Sequence, residues 1–291
     1  MFGKIIRSSK SIFLTISVSI FLVFTLFPVV WTFITSISTR SELMAMPKHW
    51  IPSKPTFENY YALFTGKPLP GFFASTAPSE FGAALRNSLI VTLSCLVIGL
   101  PIEILAGFAF STLRFPFKKY FFHGIFAIVL LPHIAILPAL YDMFTGFGLI
   151  DTYLALVLFD LSWSTPLGIW LMASYFSTIP REIIKAARVD GCTWKDVLIK
   201  VVLPISTPII IAVAIIQFTV VWNDFIGPLV FCETIACKTL PVVLAEFVGL
   251  TGIDYGGMAA GAIIATLPAL IFALVFQKYI IRGLTIGATK Y

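Results

Sequence analysis

Six apolar stretches, separated by polar segments, set the pattern of the chain. They run over about 12–35, 88–111, 120–141, 153–176, 204–225 and 257–278. A bilayer crossing takes about 20 apolar residues of helix, so each stretch is long enough to span with some tilt. The first carries no charge. It is longer than the h-region of a signal peptide, and no small-residue cleavage site follows it, so it reads as retained. No internal repeat is visible. The pattern predicts an all-α polytopic membrane bundle of six transmembrane helices, forming a single domain over 1–291.

Composition agrees with this reading. Only 12% of the 291 residues are charged and 58% are hydrophobic, with a mean hydropathy of +0.97. A soluble domain carries about 25% charged residues. Ordinary soluble enzymes, disordered chains, collagens and secreted disulfide scaffolds are therefore excluded.

Basic residues set the orientation. Lys4, Arg7 and Lys10 precede the first span. Arg114, Lys118 and Lys119 lie between the second and third. Arg181, Lys185, Arg188, Lys195 and Lys200 lie between the fourth and fifth, and Lys278, Arg282 and Lys290 follow the sixth. With six spans all of these fall on one side. Positive residues are retained in the cytoplasm, so both termini are expected there. The net charge of +6 follows from this distribution and does not point to nucleic acid.

The segment 36–85 is then an external loop, rich in Pro, Gly, Ser and aromatics. A second external element, Thr239 to Val248, is apolar but too short to span. Every span carries a proline. Proline removes a backbone hydrogen bond and kinks a helix, which suits a cavity-lining bundle but is also common in membrane helices generally.

The most informative segment is cytoplasmic, about 180–203. Ser177 and Thr178 are candidate caps for a helix with Pro180 and Glu182 in its first turn. Arg181, Lys185 and Arg188 form a basic stripe. Ile183, Ala186 and Ala187 lie on another face. Asp190-Gly191 turns the chain, and Thr193 caps a second helix from Trp194 to Leu203, with the fifth span starting at Pro204. A hairpin of this kind suits docking into a groove of a partner protein. An interfacial hairpin lying on lipid headgroups has the same pattern.

These residues resemble a known family. The pattern E-A-A, three residues, G, nine residues, I-x-L-P marks the permease subunits of ATP-binding-cassette importers. This chain has Lys185-Ala186-Ala187, then Gly191, then Val201, Leu203 and Pro204 at the matching spacing. Asp190 before the glycine is typical of the carbohydrate branch. Ala106 to Phe122, Trp222-Asn223-Asp224-Phe225 and Thr239 to Tyr291 also resemble that branch, in particular the shorter, six-span subunit of maltose-type importers.

The resemblance implies the type I importer permease fold, a place in the cytoplasmic (inner) membrane of a bacterium or archaeon, and a set of partners: a second permease subunit, two ATPase subunits and an extracytoplasmic solute-binding protein. The chain would form half of the pathway for a sugar or oligosaccharide. Glu182, Lys185, Ala186, Ala187, Asp190, Gly191, Leu203 and Pro204 would carry the coupling to the ATPase. The chain has no G-x-x-x-x-G-K-[ST] loop, so ATP and Mg are expected on the partner. No catalytic residue, metal or cofactor of its own is expected. One departure stands out. The family has an acid where this chain has Lys185; either Glu182, one turn earlier, takes its place, or the partner ATPase carries a compensating acid. The C-terminal segment 279–291 would reach toward the ATPase subunits.

Within the spans, Glu103 is costly at mid-bilayer unless neutralised or paired. It is a candidate for the pathway or a subunit contact, together with Trp222, Asn223 and Asp224 as an outer gate. Asp160 and Asp224 are expected to reach water. Cys232 and Cys237 fall outside and are a candidate disulfide, which an oxidising compartment permits. Alternative readings are a glycerol-phosphate importer permease, a stand-alone secondary transporter and a membrane scaffold without transport activity.

Overall fold

The computed structural model describes residues 2–47, 50–67, 76–249 and 252–288, with side chains from 12 to 277. In chain order the helices begin with α1 (Phe2–Ser36), α2 (Arg40–Met44), α3 (Glu58–Thr65) and α4 (Ala77–Thr112). Next come α5 (Lys118–Val129), α6 (His133–Gly146), α7 (Tyr153–Phe176) and α8 (Arg181–Val189). After a bend follow α9 (Trp194–Asp196), a π-helical turn (Val197–Val202), α10 (Leu203–Ile205), α11 (Thr207–Trp222), α12 (Ile226–Phe231) and α13 (Leu240–Ala245). A two-stranded ladder, β1 (Val248–Gly249) with β2 (Gly252–Ile253), precedes α14 (Tyr255–Ala288).

Among the described residues, five segments are long and apolar enough to cross a bilayer: Ile12–Ser36, Ala77–Thr112, Tyr153–Phe176, Thr207–Phe231 and Tyr255–Gln277. The expected third span over 120–141 is not one helix. It is the pair α5 and α6, bent by 94° at Leu130 to Pro132. Pro132 has no N–H to continue the ladder and pushes the residue before it out of the α region. Its own backbone is extended, at φ −66° and ψ 106°.

The second span also differs from the expected 88–111. Its helix starts at Ala77, well inside the segment read as loop 36–85. Pro78 stands in the first turn, where a missing N–H costs nothing, and the N–H groups of Ser79 and Glu80 donate to the Thr76 carbonyl at 3.0 and 3.1 Å. The polar pair Arg86-Asn87 interrupts the apolar run and hides this extension. Asn87 is buried: its amide donates to the carbonyls of Ile235 and Lys238, both at 2.9 Å, and its oxygen accepts from the Tyr153 hydroxyl at 2.7 Å.

The chain divides into two compact units, Met1–Gly82 with Leu244–Thr266, and Ala83–Val243 with Leu267–Tyr291. In the first, α3 is tied to the end of α1. The buried Asn59 amide donates to the carbonyls of Ser36 and Ser38 at 2.8 and 3.2 Å, and the Ser36 and Tyr60 hydroxyls lie 2.7 Å apart. In the second, α7 is the central element, with α5, α11 and α12 packed on it. One core cluster joins Val91, Cys95, Leu156, Phe159 and Phe231. A second joins Phe108, Met172, Phe176, Ile184, Val197 and Leu198. This second cluster is the structural link between spans and hairpin: side chains from the ends of α4 and α7 pack with side chains from α8 and the π turn.

Candidate functional site

The hairpin from α8 to α10 is built by local rules that its residues obey closely. Helix α8 ends in a Schellman motif. The Cys192 N–H donates to the Ala187 carbonyl at 3.0 Å and the Gly191 N–H to that of Arg188 at 3.2 Å. Gly191 takes φ +85°, a conformation that costs a residue with a Cβ about 1–2 kcal/mol. Gly191→Val is therefore expected to destabilise the hairpin by about that amount. Faster amide exchange confined to 181–205 would show it.

Thr193 and Asp196 form a reciprocal capping box at the start of α9. The Asp196 N–H donates to the Thr193 hydroxyl at 3.2 Å, and the Thr193 N–H donates to the Asp196 carboxylate at 3.1 Å. Lys200 reaches the same carboxylate at 2.7 Å, one turn on. The Lys200 and Thr193 hydrogen bonds hold the Asp196 carboxyl well below its ordinary 3.8. A depressed carboxylate stabilises the fold above its unfolded value and loses that contribution as pH falls through the folded value. Protection of the amides of Trp194 to Lys200, with the intrinsic exchange rate at each pH divided out, is accordingly expected to fall as pH is lowered below 3.8, and Asp196→Asn is expected to remove that acid-side dependence.

The π turn over Val197–Val202 ends just before Pro204. The Leu203 N–H donates to the Leu198 carbonyl, five residues back. In an α-helix the Pro204 ring would meet the carbonyl four residues earlier, and widening the turn avoids that meeting. The helix expected from Trp194 to Leu203 is thus α9, the π turn and α10 in succession. The fifth span proper starts at Thr207, not at Pro204.

The structure corrects two further expectations about α8. Ser177 and Thr178 do not cap it. Their hydroxyls donate back to the carbonyls of Ala173 and Tyr175, both at 2.7 Å, and Pro180 occupies the cap position. Nor do all three basic residues form an outward stripe. The Arg188 guanidinium donates to the Cys192 carbonyl at 2.6 Å and lies 4.7 Å from the Trp194 ring centre, so it staples the bend.

The inward face of α8 is Ile184, buried, with the half-buried Ala187 packed beside it. The outward apolar positions are Ile183, Ala186 and Val189, the last 86% exposed. Glu182 and Lys185 are both exposed. Asp190 is the residue at which α8 ends, and Leu203 and Pro204 sit in α10.

The intramembrane candidates lie in separate surroundings. Glu103 is fully buried in α4, and among the described residues neither of its carboxylate oxygens has a hydrogen-bond partner. Its carboxyl occupies the space that a Cβ on Gly168 would fill. A small cavity of about 60 Å³ beside it is lined by Trp163, Ser164, Gln217 and neighbours. The buried Gln217 amide donates to the Cys95 carbonyl at 3.3 Å, and Gly99 makes room for it. Gln217, Ser164 and the two glycines were not singled out in the sequence. The only signal was a lone glutamine in an apolar run and glycines on facing helices.

Trp222 is buried and stacks on Phe218 at 5.5 Å, which in turn stacks on Phe272 at 4.6 Å. Asn223 is exposed but donates back to the Thr219 carbonyl at 2.7 Å. Asp224 accepts from the N–H groups of Ile226 and Gly227 at the start of α12, at 3.2 and 3.1 Å. These contacts fix the break between α11 and α12. Asp160, expected to reach water, is buried. Cys232 and Cys237 are joined in a disulfide with their Cα atoms 5.6 Å apart. The side chains of 279–288 and all of 289–291 lie outside the described residues, and with them the expected contact of the C-terminal segment.

Comparison with known proteins places this geometry. Residues 99–286 match the family model described as the binding-protein-dependent transport system inner membrane component. A trehalose transport system permease protein of Mycobacterium tuberculosis is 34% identical, over 92% of this chain and 93% of that protein. A trehalose/maltose transport system permease protein of Thermococcus litoralis is 31% identical, over 97% of both. The crystal structure of a bacterial ABC transporter involved in the import of the acidic polysaccharide alginate superposes with a TM-score of 0.77, at 20% identity, covering 93% of this chain and 96% of that one. The chain belongs to the binding-protein-dependent transport system inner membrane components: it is a multi-pass permease subunit of an ATP-binding-cassette importer, with the type I permease fold.

Proposed function

We propose that this subunit forms half of the translocation pathway for a sugar or oligosaccharide and couples it to a separate ATPase through α8 to α10. The observation that carries the coupling role is the two-sided hairpin. Its inner face, Ile184 with Val197 and Leu198, is packed into the same core as Phe108, Met172 and Phe176. Its outer face presents Ile183, Ala186 and Val189. A force applied outside reaches the spans through close-packed side chains, which transmit strain. The sugar assignment rests on the named relatives, whose trehalose and maltose substrates favour it over glycerol phosphate. ATP and Mg belong to the partner ATPase in this reading, and both termini of this chain face the cytoplasm. A second permease subunit completes the pathway, and a solute-binding protein delivers the substrate from outside.

A tagged chain purified from its native membrane is expected to bring with it an ATPase and a second permease. In liposomes, binding protein with the right sugar is expected to stimulate hydrolysis, and the stimulating sugar names the substrate. A chain that purifies alone, with no stimulated hydrolysis, would overturn the coupling reading and favour a stand-alone transporter.

A further inference from the structure

Where α4 ends, α7 ends and α8 begins, the structure holds a cavity of about 230 Å³ lined by Arg114, Arg181 and Lys185, with the hydroxyl residues Ser111, Thr112 and Ser177. No carboxylate of the described residues lines it. Among the described residues, none of these three cations is ion-paired to an acid. Lys118 lies close enough to Arg181 for the two charges to repel, and its ammonium donates to the Leu113 carbonyl at 2.9 Å. Cations gathered without a counter-charge are costly to hold together, and an anion relieves the cost.

Two further observations identify the anion. First, a second cavity of about 440 Å³ adjoins the first through Ser177 and is lined by Phe110, Phe122 and Trp170, with Lys118, Lys119 and His123. A basic pocket next to an aromatic groove fits a molecule with an anionic head and an apolar tail. Second, Phe117, Tyr120 and Phe121 are 70%, 75% and 60% exposed beside these pockets. Exposed aromatics next to lysines mark the depth of the membrane–water interface. Basic pockets between spans on the cytoplasmic side recognise anionic headgroups.

We propose that this paired cavity is a binding site for an anionic phospholipid of the cytoplasmic leaflet, with its phosphate between Arg114 and Arg181 and an acyl chain along Phe110, Phe122 and Trp170. The site lies directly beneath α8, so an occupied site supports the hairpin from the membrane side. The assignment rests on the cytoplasmic placement of this face proposed above.

The test is native mass spectrometry of the purified full-length chain, titrated with phosphatidylglycerol and with phosphatidylcholine. Tight retention of one phosphatidylglycerol over phosphatidylcholine is expected. The double variant Arg114→Gln/Arg181→Gln is expected to weaken that binding about thirtyfold, given about tenfold per 1.4 kcal/mol and the usual attraction of two interfacial basic residues to an anionic leaflet. The charge-conserving Arg114→Lys/Arg181→Lys is expected to keep most of it. Equal retention of both lipids, or unchanged binding in the Gln variant, would overturn the proposal. Complete displacement by millimolar inorganic phosphate would overturn the lipid assignment in favour of free phosphate. The lipid contrast and the phosphate competition use the unaltered chain, so they decide even where the Gln variant does not fold. Lipid retention is read without the ATPase. A retained lipid with no captured ATPase overturns the coupling reading alone, and a captured ATPase with no lipid selectivity overturns this site alone.

Discussion

Gly107→Leu is expected to destabilise the folded permease strongly, while Gly124→Leu leaves it intact. Gly107 lies in α4 where that helix passes α7. A Cβ built on it would stand 2.5 Å from the Met172 Cβ and 3.1 Å from the Ala173 backbone nitrogen. Neither atom is the end of a flexible side chain, so the helices themselves would have to part. Small residues at such crossings let backbones approach closely, and packing rather than a hydrophobic force holds helices together in lipid. Overpacking a close-packed core costs about 1–3 kcal/mol, and here the neighbours Met172 and Phe176 also anchor the coupling hairpin. A displaced α7 therefore loosens both span and hairpin. A Cβ on Gly124 meets nothing within 4 Å, so the same leucine there adds only apolar surface facing outward. Fluorescence-detected size exclusion after stepwise heating separates the two variants: a lost or strongly lowered melting midpoint for Gly107→Leu, and a near-normal one for Gly124→Leu. Equal midpoints would show that α4 and α7 are not held by this contact.

What could be read in advance divides along a physical line. Hydropathy locates where the chain enters lipid, because transfer from water is a property of each residue summed over a window. The approximate spans were legible in this way, and the bend at Asp190-Gly191 and the Thr193 cap were legible from local turn chemistry. The exact helix limits were not. Asn87 reads as polar and loop-like, yet it is buried because the carbonyls of Ile235 and Lys238, far along the chain, satisfy its amide. The break at Pro132 looked like one more tolerated proline. Nothing in a window distinguishes a kink from a bend of 94°. The inner and outer faces of α8 were hardest, since Ile183 and Ile184 are chemically alike. Only the packing of Ile184 with Val197 and Leu198 decides that it faces in. Gln217 and Gly168 belong to the same class: their significance appears only once a facing helix places Glu103 and Gly99 against them.

Glu182→Lys is expected to uncouple the transporter, and Lys185→Glu to leave coupling largely intact. The family resemblance puts an acid at position 185, but this chain has a lysine there, and the structure gives that lysine a different setting. Lys185 shares its side of α8 with Arg181 and the buried Ile184, and it lines the basic cavity. Glu182 precedes Ala186 by four residues and Val189 by seven, so all three share the outward side. Glu182 and Ala186 are exposed and Val189 is 86% exposed. A docking surface made of small and apolar groups needs a charge to set register, and on this face Glu182, one turn before position 185, is an acid placed to meet a basic residue of the ATPase, with Asp190 exposed at the helix end. Disrupting a desolvated charge pair at an interface costs about 2–5 kcal/mol, so reversing Glu182 is expected to lower sugar-stimulated ATP hydrolysis by about thirtyfold or more. Lys185→Glu places an acid beside Arg114 and Arg181 and is expected to change hydrolysis by less than about threefold, a difference of under 1 kcal/mol. The measurement is hydrolysis by the reconstituted complex with and without binding protein and sugar, alongside the amount of ATPase that co-purifies. Loss of coupling in Lys185→Glu with none in Glu182→Lys would return the family's acidic position to residue 185. No effect of either reversal would remove charge from the docking account and leave Ile183, Ala186 and Val189 to hold the ATPase by shape.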